Sequence, residues 1–140
     1  MVKIELNRTD DAFAFEAKDA NGHIIKMDAA VDIGGHNSGA RPMQMLLMGL
    51  GACSGIDIVS ILKKQRQEIK DFTISIEGER EQGKEPALWK FVKVNFTLSG
   101  NIDAEKAQKA CALSIDKYCS VAATLRAAGC VIEWDLNVNP

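Results

Sequence analysis

Apolar and polar residues alternate from the start of the chain. Val2, Ile4 and Leu6 are interleaved with Lys3 and Glu5, and Phe13 and Phe15 with Ala12, Ala14 and Glu16. A period of two residues is that of a strand with one face buried. Asp19-Ala20-Asn21-Gly22 predicts a hairpin turn, because Asn-Gly readily takes the positive φ angles a tight turn needs. Ile24, Ile25 and Met27 then continue as another strand. The first third reads as a small antiparallel meander, followed by a loop over Gly34-Gly35-His36-Asn37-Ser38-Gly39.

The period changes at Pro42, which suits the first turn of a helix because its missing N–H would be unpaired there anyway. The helix is expected to run to about Gln67. Its apolar positions (among them Met45, Leu46, Met48, Leu50, Ile56, Ile58, Val59 and Leu62) cover more than one face, which predicts a central element buried on several sides. Alternation returns at Phe72, Ile74 and Ile76, and again from Trp89 through Phe91, Val92, Val94, Phe96 and Leu98. The polar stretch Gly78 to Pro86 between them reads as a long exposed turn. Asp103 is a candidate cap for a helix from Ala104 to about Asp116. A second helical stretch, Tyr118 to Ala128, stops at Gly129. Cys130, Ile132, Trp134, Leu136 and Val138 alternate as a last strand. The order is βββ-α-ββ-αα-β, an α+β fold expected to form one domain over 1–140.

Composition narrows the function. Hydrophobic residues make up 46% and charged residues 26%, with a formal net charge of −2. A nucleic-acid binder needs a basic stripe to displace counterions, and the sequence has no Lys/Arg block. The apolar stretch from Met43 to Leu62 is broken by Gln44, Asp57 and several glycines, so it reads as a core helix and not a membrane span. The first residues hold no apolar run of the kind a signal peptide needs. The expectation is a cytoplasmic, reducing location. There the four cysteines, Cys53, Cys111, Cys119 and Cys130, are core residues, metal ligands or redox thiols, not static bridges. Spacing argues against a metal: there is no CxxC pair, and His23 and His36 are far from every cysteine.

Gly49, Gly51 and Gly55 surround Cys53. A glycine inside a helix costs about 1 kcal/mol relative to alanine, so these must be offset by close approach of another backbone or of a ligand. Either small residues let two helices cross with Cys53 as packing, or they clear a pocket into which the thiol points. Tyr118-Cys119-Ser120-Val121-Ala122-Ala123 is a second small-residue stretch. If it crosses the first, Cys119 approaches Cys53; a disulfide needs Cα atoms within about 7 Å. Cys111 and Cys130 read most simply as core. Asp57, one turn from Cys53, is read as solvent-facing or paired with a lysine, and would raise the thiol pKa if it pointed the same way; His36 is read as a solvated loop residue or a proton donor.

The run from Pro42 through Met48-Gly49-Leu50-Gly51-Ala52-Cys53 to Lys64, with Lys117-Tyr118-Cys119-Ser120-Val121-Ala122-Ala123-Thr124-Leu125, resembles the two cysteine motifs of the OsmC/Ohr family, the osmotically inducible and organic hydroperoxide resistance proteins. The element order is also similar. The resemblance implies antiparallel sheets wrapped around a central helix pair in an intertwined homodimer. It also implies a thiol peroxidase cycle without metal or organic cofactor: Cys53 attacks a small hydroperoxide, Cys119 resolves the sulfenic acid to a disulfide, and a dithiol reductant restores both. Family peroxidases carry a glutamate near the helix start that pairs with an active-site arginine. Here Gln44 takes the glutamate's position, residues 29–39 contain no arginine, and Arg41 is the nearest one. Cys53, Cys119, Arg41 and Gln44 are the candidate catalytic residues. The competing readings are a small-ligand binding protein and a slow redox sensor.

Overall fold

The computed structural model describes residues 1–140, and they form two compact units, Met1–Leu46 and Leu47–Pro140. In the first, β1 (Glu5–Arg8), β2 (Phe15–Lys18) and β3 (Ile24–Met27) make an antiparallel sheet in that order. The expected hairpin turn forms around Asp19, whose carboxylate accepts hydrogen bonds from the Asn21 and His23 N–H groups at 2.9 Å each. A short 3-10 turn, Val31–Ile33, follows. The loop after β3 is organised by the buried Asp28. Its carboxylate accepts from the backbone N–H of Ala29 (2.7 Å), His36 (3.0 Å) and Ser38 (3.2 Å) and from the Ser38 hydroxyl (2.8 Å). These donors, the Ser38 hydroxyl foremost, hold the carboxyl far below the ordinary aspartate range.

The second unit is built on a sheet in the order β4 (Glu68–Arg80), β5 (Trp89–Asn101), β6 (Val131–Val138). β4 and β5 pair antiparallel, as adjacent strands joined by a turn must. β5 and β6 run parallel, which corrects the expectation of antiparallel pairing throughout. The chain between them passes through helices and returns at the same end, and a helical crossover delivers a parallel partner. The registers put Phe72, Ile74 and Ile76 opposite Leu98, Phe96 and Val94, and those opposite Val138, Leu136 and Trp134. One face of the sheet is therefore apolar, with the Phe96 ring 6.1 Å from Phe72 and 6.3 Å from Trp134. The other face carries polar residues such as the Lys93–Asp135 ion pair.

Helices α1 (Pro42–Lys64), α2 (Ala104–Leu113) and α3 (Ser120–Ala127) complete the fold. α1 ends at Lys64, three residues short of the expected limit, because Arg66 adopts a left-handed conformation (φ 58) that no helix continues through. Of α1, Leu50, Gly51, Ser54, Gly55, Ile58 and Leu62 are buried. Leu46, Met48, Ile56 and Val59 are exposed, so the helix is covered on one face by its own chain, not on several. By length and composition α1 also passes for a membrane span, as core helices of water-soluble folds do. Asp103 caps α2 as expected, accepting from the Lys106 N–H at 3.0 Å. α2 and the next helix are separated by a single π turn, Ser114–Tyr118. Gly129 (φ 95) follows α3 and turns the chain into β6.

The glycines of α1 do allow close approach, but to the sheet. A Cβ at Gly51 would lie 3.0 Å from Ile76 Cδ1, and one at Gly55 would lie 2.9 Å from Ile74 Cδ1. Only Gly49 faces a helix, with Val121 of α3 at 4.0 Å. The small residues seat α1 on β4 and do not hollow out a pocket.

Candidate functional site

Cys53 sits half-buried at the edge of α1's buried face and packs against the core. Beside it the buried Ser54 hydroxyl donates back to the Leu50 carbonyl at 2.8 Å, so it stays satisfied without leaving the helix. Cys119 arrives from the other side of the sequence. The π turn ends at Cys119, which leaves helical geometry (φ −70, ψ 105) and becomes the N-cap of α3. Its backbone N–H donates to the Ser114 carbonyl at 2.7 Å. Its Sγ accepts from the Ala122 N–H at 3.4 Å, the place an N-cap serine or aspartate oxygen takes. Arg126 fastens this turn to α3 by donating to the Ile115 carbonyl and pairing with Asp116 at 3.3 Å.

These two elements meet. Cys53 Sγ, Cys119 Sγ and a carboxylate oxygen of Asp57 all lie within 4.8 Å of one another. Both cysteines are free thiols. Asp57 is one helical turn after Cys53, on the same face; it is half-buried beside the thiols and forms no ion pair with a lysine. The hydroxyl of the fully buried Ser114 holds it, donating to Asp57 Oδ2 and to the Ser54 carbonyl, each at 3.1 Å. Burial pushes the Cys119 thiol up to about 11, with the adjacent Cys53 adding to the rise and the Ala122 and Val121 N–H groups opposing it. Asp57 also lines an open depression of about 560 Å³, together with Ser60, Ile61, Lys64, Leu113 and Tyr118.

The remaining candidates are placed locally. The Arg41 guanidinium donates to the Gly39 carbonyl (2.9 Å) and to Asn37 Oδ1 (3.0 Å), which fixes it in the loop before α1. Gln44 is exposed on the first turn of α1. Both belong to the first unit. His36 points Nδ1 at Asp10 Oδ2 (3.3 Å) and serves the Asp28 loop through its backbone. Cys111 and Cys130 are buried core residues, as read. Two side-chain sets have donors spaced for a cation: the sulfur–oxygen–sulfur set Cys53, Asp57 and Cys119, and the oxygen–nitrogen set Asp10, Asp28 and His36. The second is committed to loop hydrogen bonds. The spacing of the cysteines in sequence concealed the first, because Cys53 and Asp57 come from α1 and Cys119 from the start of α3.

Sequence reasoning noted Asp57 one turn from Cys53 but set it facing solvent or a lysine, and it passed over Ser114. The step of four residues from Cys53 to Asp57 was a legible signal. Nothing local marked Ser114, since its partners lie more than fifty residues away (|i−j| of 60 and 57).

Residues 35–135 match a family described as OsmC-like protein. The chain belongs to that family. It is 37% identical over 122 residues to Protein YhfA of Escherichia coli strain K12, covering 84% of this chain and 85% of that one. A solved structure of a hypothetical protein from Aquifex aeolicus VF5 superposes with a TM-score of 0.81 at 31% identity, covering 100% of this chain and 98% of the other. The organic hydroperoxide resistance protein OhrB of Bacillus subtilis shares the fold at a TM-score of 0.63, with 20% identity and coverage of 98% of each chain. Each of the two motifs carries one cysteine, Cys53 in the first and Cys119 in the second.

Proposed function

We propose that this OsmC-like chain is a thiol-dependent peroxidase acting on small organic or related hydroperoxides. The observation that carries the reading is the approach of Cys53 Sγ and Cys119 Sγ to within 4.8 Å from opposite halves of the sequence. The Cys53 thiolate attacks the O–O bond, takes one oxygen as a sulfenic acid, and releases the alcohol after one proton is supplied. Cys119 condenses with that sulfenic acid to a disulfide, with loss of water. A dithiol reductant of the cell then returns both thiols by exchange. The depression lined by Ile61, Leu113 and Tyr118 beside Asp57 offers apolar surface to an organic peroxide tail. Gln44 lies about 13 Å before Cys53 along α1 and Arg41 further still, so both are proposed as donors to the peroxide oxygens at the Cys53 of a second copy of the chain. The cycle uses no metal and no organic cofactor.

The same reading holds the chain to be one cytoplasmic domain that works as a homodimer. Exposed apolar residues support the dimer in each unit: Leu6, Phe15 and Ile25 on one face of the first sheet, and Met48, Ile56 and Val59 on α1. Such residues on one face call for a covering partner.

One feature favours a second reading, that of a slow redox sensor. The Asp57 carboxylate stands beside the thiol pair, and a nearby like charge disfavours a thiolate. Peroxide consumption coupled to a dithiol reductant separates the two. Turnover by the wild type, abolished in Cys53→Ser and reduced in Cys119→Ser, is expected. Equal background rates in wild type and Cys53→Ser would refute the peroxidase. Stoichiometric disulfide formation without turnover would select the sensor.

A further inference from the structure

We propose that Asp57 relays the proton of the resolving step, from the Cys119 thiol to the hydroxide that leaves the Cys53 sulfenic acid. The inference rests on the proposed roles of the two cysteines and adds a role for a third residue, one helical turn after Cys53.

The resolving step has a proton problem. The Cys119 sulfur must lose its proton to attack, and the hydroxyl on Cys53 must gain one to leave as water. Burial keeps Cys119 protonated at neutral pH. Cys119 is only 3% exposed, so bulk water has little access to it. Asp57 offers a carboxylate oxygen within 4.8 Å of both sulfurs. That separation is closed by a rotation of a side chain or spanned by one water, which the adjoining depression can supply. The carboxylate is also oriented. The buried Ser114 hydroxyl holds Oδ2 at 3.1 Å. A carboxylate has the acceptor lone pairs to take a proton on one side and release it on the other.

The step balances within the pair. The S–S bond forms as the Cys119 S–H and the Cys53 S–O bonds break. The Cys119 electron pair forms the new bond, and the S–O pair leaves with the hydroxide. The Cys119 proton passes through Asp57 to that hydroxide, giving water. Cys53 sulfur is reduced from the sulfenic level as Cys119 sulfur is oxidised, and the only oxidant is the peroxide already consumed. In this scheme Ser114 is a positioning residue.

A trapping competition tests the relay. The reduced full-length protein is treated with millimolar hydrogen peroxide in the presence of dimedone, which captures sulfenic acid. The ratio of dimedone adduct to Cys53–Cys119 disulfide is then read by intact mass. This ratio reports the fate of the sulfenic acid and is independent of how fast it forms, so it does not require catalytic turnover. Asp57→Asn keeps the size of the side chain and its bond to Ser114 but loses the charge. The relay predicts that at pH 6 to 7 this variant shifts the ratio towards the adduct by about tenfold or more. The gap should narrow as rising pH ionises Cys119 directly. Asp57→Glu should restore most of the disulfide, and Ser114→Ala should give an intermediate ratio. A ratio in Asp57→Asn equal to wild type across pH overturns the relay. So does a shift towards the disulfide, which is what mere charge repulsion of the Cys119 thiolate would give. A wild type that yields only adduct overturns it together with the paired-cysteine mechanism. If the peroxidase assay fails while the ratio still depends on Asp57, only the peroxidase reading falls. Circular dichroism and thermal melting establish that the variants are folded.

Discussion

A single carboxylate that accepts from several donors can fix a loop, and Asp28 does so for residues 28–38. Four hydrogen bonds converge on its carboxylate, and an amide in its place would turn N–H donors towards N–H donors. Asp28→Asn is expected to loosen the loop, seen as faster limited proteolysis between β3 and α1. The carboxyl is held below its ordinary value of 3.8. Its contribution to stability is therefore present above about pH 4 and lost as pH falls below that value. The thiols work in the opposite direction. Burial pushes Cys111 up to about 12 and Cys119 up to about 11. The folded chain keeps these protons over a range where an unfolded chain, with the ordinary thiol value of 9.0, has released them. Stability is full below about pH 9 and declines as pH rises through 11 and 12. Urea midpoints measured from pH 8 to 11 should fall, and Cys111→Ala should flatten part of that slope.

At the scale of elements, the seat of α1 on β4 sets where Cys53 and Asp57 lie. Gly55 gives up about 1 kcal/mol of helix propensity so that Ile74 Cδ1 can sit where a Cβ would be, at 2.9 Å. The two terms can be separated. Ile74→Val removes that methyl group. Gly55→Ala is expected to be neutral or destabilising alone, and stabilising by up to about 1 kcal/mol in the Ile74→Val background. Denaturant midpoints of the four proteins in the double-mutant cycle check this, and simple additivity would contradict it. The end of α1 offers a simpler case. Arg66 holds φ at 58 where glycine carries no Cβ penalty, so Arg66→Gly should stabilise by about 0.5–1 kcal/mol. The π turn at Ser114–Tyr118 is the corresponding device on the other side of the site. It changes the phase between α2 and α3, so that Ser114 faces α1 while Cys119 caps α3.

For the whole molecule, the proposed dimer explains why apolar side chains stay exposed on both units. Ile56 is 70% and Leu6 52% exposed, an arrangement that costs roughly 25 cal/mol per Å² relative to burial. Light scattering coupled to size exclusion should give about twice the 15.2 kDa chain mass. Ile56→Lys should shift the population towards the single chain without unfolding it. A wild-type mass of one chain at micromolar concentration would remove the dimer from the proposal.

The sequence alone determined what neighbours along the chain control. Strand periods, the Asp19 turn, the Asp103 cap, the Gly129 stop and the element order all follow from side-chain alternation and backbone preference over a few residues. The two cysteine motifs were legible for the same reason. The tertiary structure decided which faces meet. It set β6 parallel to β5, turned the α1 glycines onto Ile74 and Ile76, left one side of α1 uncovered, and brought Ser114 and Cys119 to Cys53 and Asp57. These contacts close loops of roughly twenty to seventy residues, whose entropy grows slowly with length and favours no particular partner. Only the packing of the shared core selects among them, so Asp57 became legible as part of the site once α1 and the π turn were seen together.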